Sequence, residues 1–203
     1  MQPMITLASL LLATTVTACA MQPVYVDRLG LDYPSPMVAT RIQQPLYLVL
    51  DPDRVPDRVT VREPSMKNIE VFHIRAWVQQ ILPDALKRFF ANVEVVGPDA
   101  QLPTTPHMVA DVEVRSIGAI VDKAVGNTGV AARVYGTMTW GIAIRRSGEK
   151  NYAFSYSASV QGVKPLTHVS ETDMMYGSTF SMAIGEMNKR LVEGGLERLV
   201  PIE

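Results

Sequence analysis

Residues 132–145 read Ala-Arg-Val-Tyr-Gly-Thr-Met-Thr-Trp-Gly-Ile-Ala-Ile-Arg. Ala132, Val134, Gly136, Met138, Trp140, Ile142 and Ile144 fall on every second position, with Arg133, Tyr135, Thr137, Thr139 and Arg145 between them. A period of two is the repeat of a β-strand, whose side chains alternate between two faces. Ser147-Gly148-Glu149 is a turn, and the chain returns with Tyr152, Phe154, Tyr156, Ala158 and Val160 alternating with Ser155, Ser157, Ser159 and Gln161. Upstream, Met108 to Val121 alternates in the same way: Ala110, Val112 and Val114 against Asp111, Glu113 and Arg115. Its phase weakens at Ser116 to Gly118, which predicts a bulge, and Gly126-Asn127-Thr128-Gly129 is the connecting turn. These three strands form a meander with one apolar face and one wet face, an arrangement open to antiparallel sheets.

Two helices flank the meander. Ile74, Trp77, Val78, Ile81, Leu82, Ala85, Leu86 and Phe89 recur at helical spacing, opposite Arg75, Gln79, Gln80, Asp84, Lys87 and Arg88. Pro83 cannot donate to residue 79, so it is expected to kink or split this helix. After the meander, Ser170 and Asp173 read as a capping box, and Tyr176, Phe180, Ile184, Met187 and Leu191 form one stripe. Gly177, Ser181 and Gly185 make a row of small residues, expected either to let this helix approach the sheet or the first helix, or to meet another chain. Gly194-Gly195 weakens or ends it.

The run Leu46-Tyr47-Leu48-Val49-Leu50 fits a strand buried on both sides; Arg58 to Val61 and Val93 to Val96 read as further short strands. The order strand, helix, strand, meander, helix predicts an α+β domain. Its sheet is mixed but mainly antiparallel, and both helices pack on one face.

The amino-terminal segment is different. Residues 1–18 contain no ionisable side chain, and 4–18 are an apolar stretch of signal-peptide length, short for a membrane span. Val16-Thr17-Ala18-Cys19 follows: an aliphatic residue, two small ones, then the sole cysteine of the chain. A buried helix with an incidental cysteine is the plainer alternative. Residues 20–44 carry Pro23, Pro34 and Pro36 with no sustained period and read as a tether, whose extended length is on the order of 80 Å at ~3.3 Å per residue. The expected organisation is therefore a signal peptide at 1–18, an anchoring cysteine and tether at 19–44, and one folded domain at 45–203.

With 47% hydrophobic and 19% charged residues, the chain has ample core material, and a net charge of −1 gives no basic surface for nucleic acid. His73, His107 and His168 are far apart in sequence and lack a second ligand at metal spacing. Asp51, Asp53 and Asp57 suggest a calcium loop, but the positions where such a loop needs Gly and Glu hold Pro56 and Arg62, so a solvated turn is expected. Asp111 and Glu113 stand about 7 Å apart on one side of a strand, a spacing for paired acids as well as for exposed strand charges. No nucleophile elbow, phosphate loop or HExxH motif occurs. The reading assigns no catalytic residue, no metal ligand and no cofactor, and expects a non-enzyme.

Val16 to Cys19 resembles the bacterial lipobox. With the tether, the opening strand and two helices bracketing a meander, the whole chain resembles small outer-membrane lipoproteins. These include the YajG type, the lipoprotein of the lipopolysaccharide translocon and the auxiliary lipoproteins of ABC-type lipid transporters. The resemblance implies that Cys19 is acylated after cleavage and that the protein is lipid-anchored. Ala20, where an inner-membrane protein often has aspartate, implies the outer membrane, periplasmic side. Only Cys19 is carried over as a functional residue. Two roles then follow as expectations: an interaction module docking on an envelope protein, or a lipid- or small-ligand-binding module built on the apolar content that includes Trp77 and Trp140.

Overall fold

The computed structural model describes residues 22–25, 41–62, 68–126, 129–166, 172–194 and 196. The stretch read as a signal peptide, Cys19, most of the stretch read as a tether, Asn127-Thr128, His168 and Ser170, read as a capping residue, lie outside the described residues. In chain order the elements are β1 (Gln22–Tyr25), β2 (Leu46–Val49), β3 (Arg58–Arg62), β4 (Asn68–Phe72), α1 (Ile74–Leu86), β5 (Val93–Val96), β6 (Met108–Gly126), β7 (Gly129–Arg146), β8 (Phe154–Leu166) and α2 (Thr172–Gly194).

The alternating stretch is β7, paired antiparallel with β6 on one side and β8 on the other. Val134, Met138, Trp140, Ile142 and Ile144 are buried, as the period of two requires. The register with β6 shifts between Val114 and Ser116, leaving Arg115 as an extra residue. That bulge has a clear physical purpose. Before it, Ala110 and Val112 face the core; after it, Ala119 and Val121 do. The first pair sits at even positions and the second at odd ones, so an unbulged strand would turn one of the two sets to solvent.

β2 lies parallel to both β5 and β6, which completes a five-stranded sheet in the order β5-β2-β6-β7-β8. The fold is thus α+β, with a mainly antiparallel sheet and two helices. Leu46, Leu48 and Leu50 are buried while Tyr47 and Val49 are half-buried, so the strand expected to be covered on both sides is fully covered on one.

A second, three-stranded sheet, β1-β4-β3, was not foreseen as a separate unit. β3 and β4 are antiparallel, and β1, within the stretch read as tether, runs parallel to β4. Asn68–Phe72 is too short for its alternation to stand out in sequence. Its Glu70 is buried and paired with Arg58, whose guanidinium also sits 5.3 Å above the Phe72 ring. Near the end of the tether stretch, the Ile42 N–H donates to Phe89 O (2.7 Å), and Ile42 O accepts from Ala91 N–H (2.9 Å). Chain ahead of Pro45 therefore contributes to the packed structure.

α1 carries the expected stripe: Ile74, Trp77, Val78, Leu82, Ala85 and Leu86 are buried. Pro83 lies in the last turn of a continuous helix that ends three residues later, and Phe89 is buried in the turn that follows. The helix begins after His73, which is left-handed with φ 67° and makes no side-chain cap. Asp57 caps it instead, its Oδ1 accepting from Ala76 N–H (3.2 Å) and its carbonyl from Ile74 N–H (3.3 Å).

α2 lies across β7 and β8 with Tyr176, Phe180, Ile184, Met187 and Leu191 all inaccessible. The close approach depends on glycines in the sheet rather than on the helix row alone. Gly136 and Gly162 are cross-strand partners. A Cβ on Gly162 would lie 1.9 Å from Thr179 O, and one on Gly136 would lie 2.6 Å from Thr179 Oγ1 and 3.0 Å from Phe180 N. Ser181 and Gly185 of the small-residue row are also buried.

Gly162→Ala is expected to lower unfolding free energy by about 3 kcal/mol or more, because helix backbone would have to move to admit one methyl group. Gly97→Ala, with nothing within 4 Å of the added Cβ, is the control. Denaturant titration of both variants checks this: equal midpoints would refute the notch.

Candidate functional site

Both helices cover one face of the five-stranded sheet, and the other face is where side chains meet solvent. The register places Val49, Asp111, Ala143 and Ser155 in one row across β2, β6, β7 and β8. Glu113, Gly141 and Ser157 form the next row. β2 and β5 run parallel and end at Val49 and Val96, where Asp51-Pro52 and Gly97-Pro98 turn the chain away. A groove of about 570 Å³ opens at these carboxyl ends, bounded by Val49, Val96, Leu102, Arg145 and Lys150. This is the position where divergent loops leave a crevice in sheets with parallel strands. A second depression of about 230 Å³ lies over Glu113, Arg115, Ala143 and Ser155. The two share Arg54, Asp111, Val112 and Tyr152, so together they form one trough crossing the open face.

The charges in the trough are arranged unevenly. Asp111 pairs with Arg145 at 3.6 Å. Glu113 accepts from Arg115 Nε at 2.6 Å, and Arg115 Nη1 reaches Ser157 Oγ at 3.2 Å. Gly141 gives this pair its space, since a Cβ there would lie 3.3 Å from Glu113 Oε1. Asp51 Oδ1 accepts the Asp53 N–H (2.9 Å), and Glu149 is 3.7 Å from Arg146. Each carboxylate therefore has a donor, whereas Arg54 and Lys150 make no ion pair among the described residues. Tyr152 stands beside them with 53% of its surface exposed.

The residues singled out in sequence fall as follows. Asp111 and Glu113 do line one face, but each is bound to its own arginine rather than to a shared proton. Asp51 shapes a turn and Asp57 caps α1, and among the described residues no three His, Cys, Asp or Glu side chains are grouped to hold a metal ion. His107 is 7% exposed; its Nδ1 is 2.8 Å from Thr105 O and its ring meets Tyr47 edge-on at 5.4 Å. Ser157 Oγ donates to Trp140 O (3.1 Å), and Ser159 Oγ lies 3.0 Å from Thr139 Oγ1, so these hydroxyls knit the wet face. Trp77 and Trp140 belong to the core between helices and sheet.

Arg54, Lys150 and Tyr152 were missed as a group because 96 positions separate Arg54 from Lys150 in the chain. The sequence signals that could have pointed to the groove were the Asp51-Pro52 and Gly97-Pro98 stops at the ends of two strands.

No protein-family model matches the chain, and no curated protein matches it. Among solved structures, the fold is similar to that of a Xanthomonas campestris protein of the DUF330 family: TM-score 0.52, 12% identity, over 88% of this chain and 95% of that one. A minor lipoprotein from Acinetobacter baumannii is matched with TM-score 0.42 and 8% identity, over 80% of this chain and 97% of that one. The first likeness shows a shared fold.

His107→Ala is expected to cost about 1–3 kcal/mol of stability through the lost hydrogen bond and ring contact. Asp111→Asn, which loosens a partly exposed pair, should cost less than about 1 kcal/mol. Urea titrations of the two variants check the order; the reverse order would make Asp111 the structural residue.

Proposed function

We propose that this chain is a lipid-anchored lipoprotein of the bacterial envelope whose folded domain is a non-enzymatic docking module. The trough on the open sheet face is its contact surface. The observation that carries the docking role is the trough itself. It is continuous across four strands, it has an apolar end at Val49, Val96 and Leu102, and its carboxylates are committed to neighbouring donors. Asp111 and Glu113 are each partnered by an arginine, an arrangement that suits a recognition surface.

The anchor rests on the sequence Val16-Thr17-Ala18-Cys19, which places the only thiol directly after an uncharged apolar stretch and ahead of the domain. Acylation at Cys19 supplies the membrane attachment, with several chains contributing ~0.8 kcal/mol per buried methylene. Ala20 supports delivery to the outer membrane on the periplasmic side. The partner in this reading is an envelope protein; no cofactor is required.

A second reading, binding of a lipid or small ligand, draws support from the groove volume of about 570 Å³, which falls in the range of small-molecule sites. Its location would be the open face rather than the space around Trp77 and Trp140, which is filled by core.

Cys19→Ser is expected to abolish acyl mass and flotation with outer membrane, read by intact mass and membrane fractionation. A variant that still floats would sink the anchor. For the domain, Ala143→Trp places a large ring in the trough. In-cell crosslinking should recover one dominant envelope protein with wild type and about tenfold less with Ala143→Trp, the loss expected for a change of ~1.4 kcal/mol. Recovery of no partner by wild type, or equal recovery by both, would refute docking at this face. A stoichiometric lipid in native mass spectra, displaced by the same variant, would favour the second reading.

A further inference from the structure

Resting on the reading of the trough as the contact surface, we infer that its occupant is an extended acidic segment of a partner protein. Two features of the trough select this chemistry. The first is shape. The two depressions join at Arg54, Asp111, Val112 and Tyr152 and together run from the ends of β2 and β5 across to β8. A chain-like ligand fills such a channel, whereas a compact molecule occupies one end of it.

The second feature is charge. Counted by type, the walls are balanced, but the partners are not. Asp111 is matched by Arg145, Glu113 by Arg115 and Glu149 by Arg146, while Asp51 accepts a backbone N–H of its own turn. Arg54 and Lys150 remain, both exposed and neither in an ion pair among the described residues. Arg54 stands where the two depressions meet and Lys150 lines the larger one. Asp51, whose only partner here is a neutral amide, keeps its negative charge, so the charge of the trough outside ion pairs is two positives against one negative, and carboxylates spaced along an extended peptide complement that excess. The exposed Tyr152 ring and the apolar wall of Val49, Val96 and Leu102 supply contacts for uncharged side chains between those acids.

The test uses the full chain in neutral detergent and a fluorescent octapeptide library graded by net charge, read by anisotropy. Acidic peptides should bind, weaken as salt rises, and lose about tenfold in affinity in the Arg54→Gln/Lys150→Gln double variant. Both residues are exposed, so this variant should keep the wild-type melting temperature. Equal binding of acidic, neutral and basic peptides, or an unchanged affinity in the double variant, would overturn the inference. Binding of vesicles rich in anionic phospholipid that depends on Arg54 and Lys150, with no peptide binding, would overturn it in favour of a lipid occupant. The Ala143→Trp crosslinking result separates the two levels. Loss of the envelope partner in that variant beside indifferent peptide binding would leave the trough as the docking surface and remove only the acidic segment.

Discussion

The position of α2 on the sheet depends on two glycines that face each other across β7 and β8. Gly136 and Gly162 leave a notch without side chains, and the helix backbone at Thr179 and Phe180 settles into it at a distance that no Cβ would permit. With the helix seated there, Tyr176, Phe180, Ile184, Met187 and Leu191 are all carried out of solvent, into the same core as Met138 and Trp140. Near the other end of the helix, Arg190 Nη1 donates to Ser159 O (3.1 Å) on β8. Close backbone contact matters because dispersion attraction and apolar burial both fall off within a fraction of an ångström of optimal packing.

Seating both helices on one face leaves the other face available, and the bulge at Arg115 governs what that face presents. The extra residue lets β6 keep small and branched apolar side chains on the helix side along its described length. Ahead of the bulge, Asp111 and Glu113 alternate with the buried Ala110 and Val112 and so face the open side. Those acids are then neutralised by Arg145 and Arg115. Away from the apolar end of the trough at Val49, Val96 and Leu102, the open face is held in place by its own ion pairs and by serine and threonine hydroxyls. Its trough arises at the border where parallel β2 and β5 stop. Shape there comes from chain reversal, and the basic groups outside the described ion pairs, Arg54 and Lys150, arrive from two separate loops.

Much of the fold was legible because the physical period of each long element is written in the residue pattern. The alternation of 132–145 and the helical stripes of 74–86 and 176–191 all correspond to observed elements. The weakened phase at Ser116 marked the bulge to within a residue or two. Short elements were less legible. Asn68–Phe72 offers five residues, too few for a period to emerge from chance, and β1 has four. His73 and Asp57 show a related limit. A helix is ordinarily capped by the residue next to it, but here the cap comes from a carboxylate brought in from the loop before β3.

By itself, then, the sequence determined the local periods, the turns, the α+β class and the single thiol that follows an uncharged apolar stretch, since each depends only on neighbours along the chain. The tertiary structure alone decided that there are two sheets, that the helix notch is made by Gly136 and Gly162, and that Asp111 and Glu113 are matched to arginines. It also decided that Arg54, Lys150 and Tyr152 border one trough. The physical reason is the same in each case: these features are contacts between residues distant in sequence, and strand register, which residue pattern constrains only in parity, chooses which of them meet.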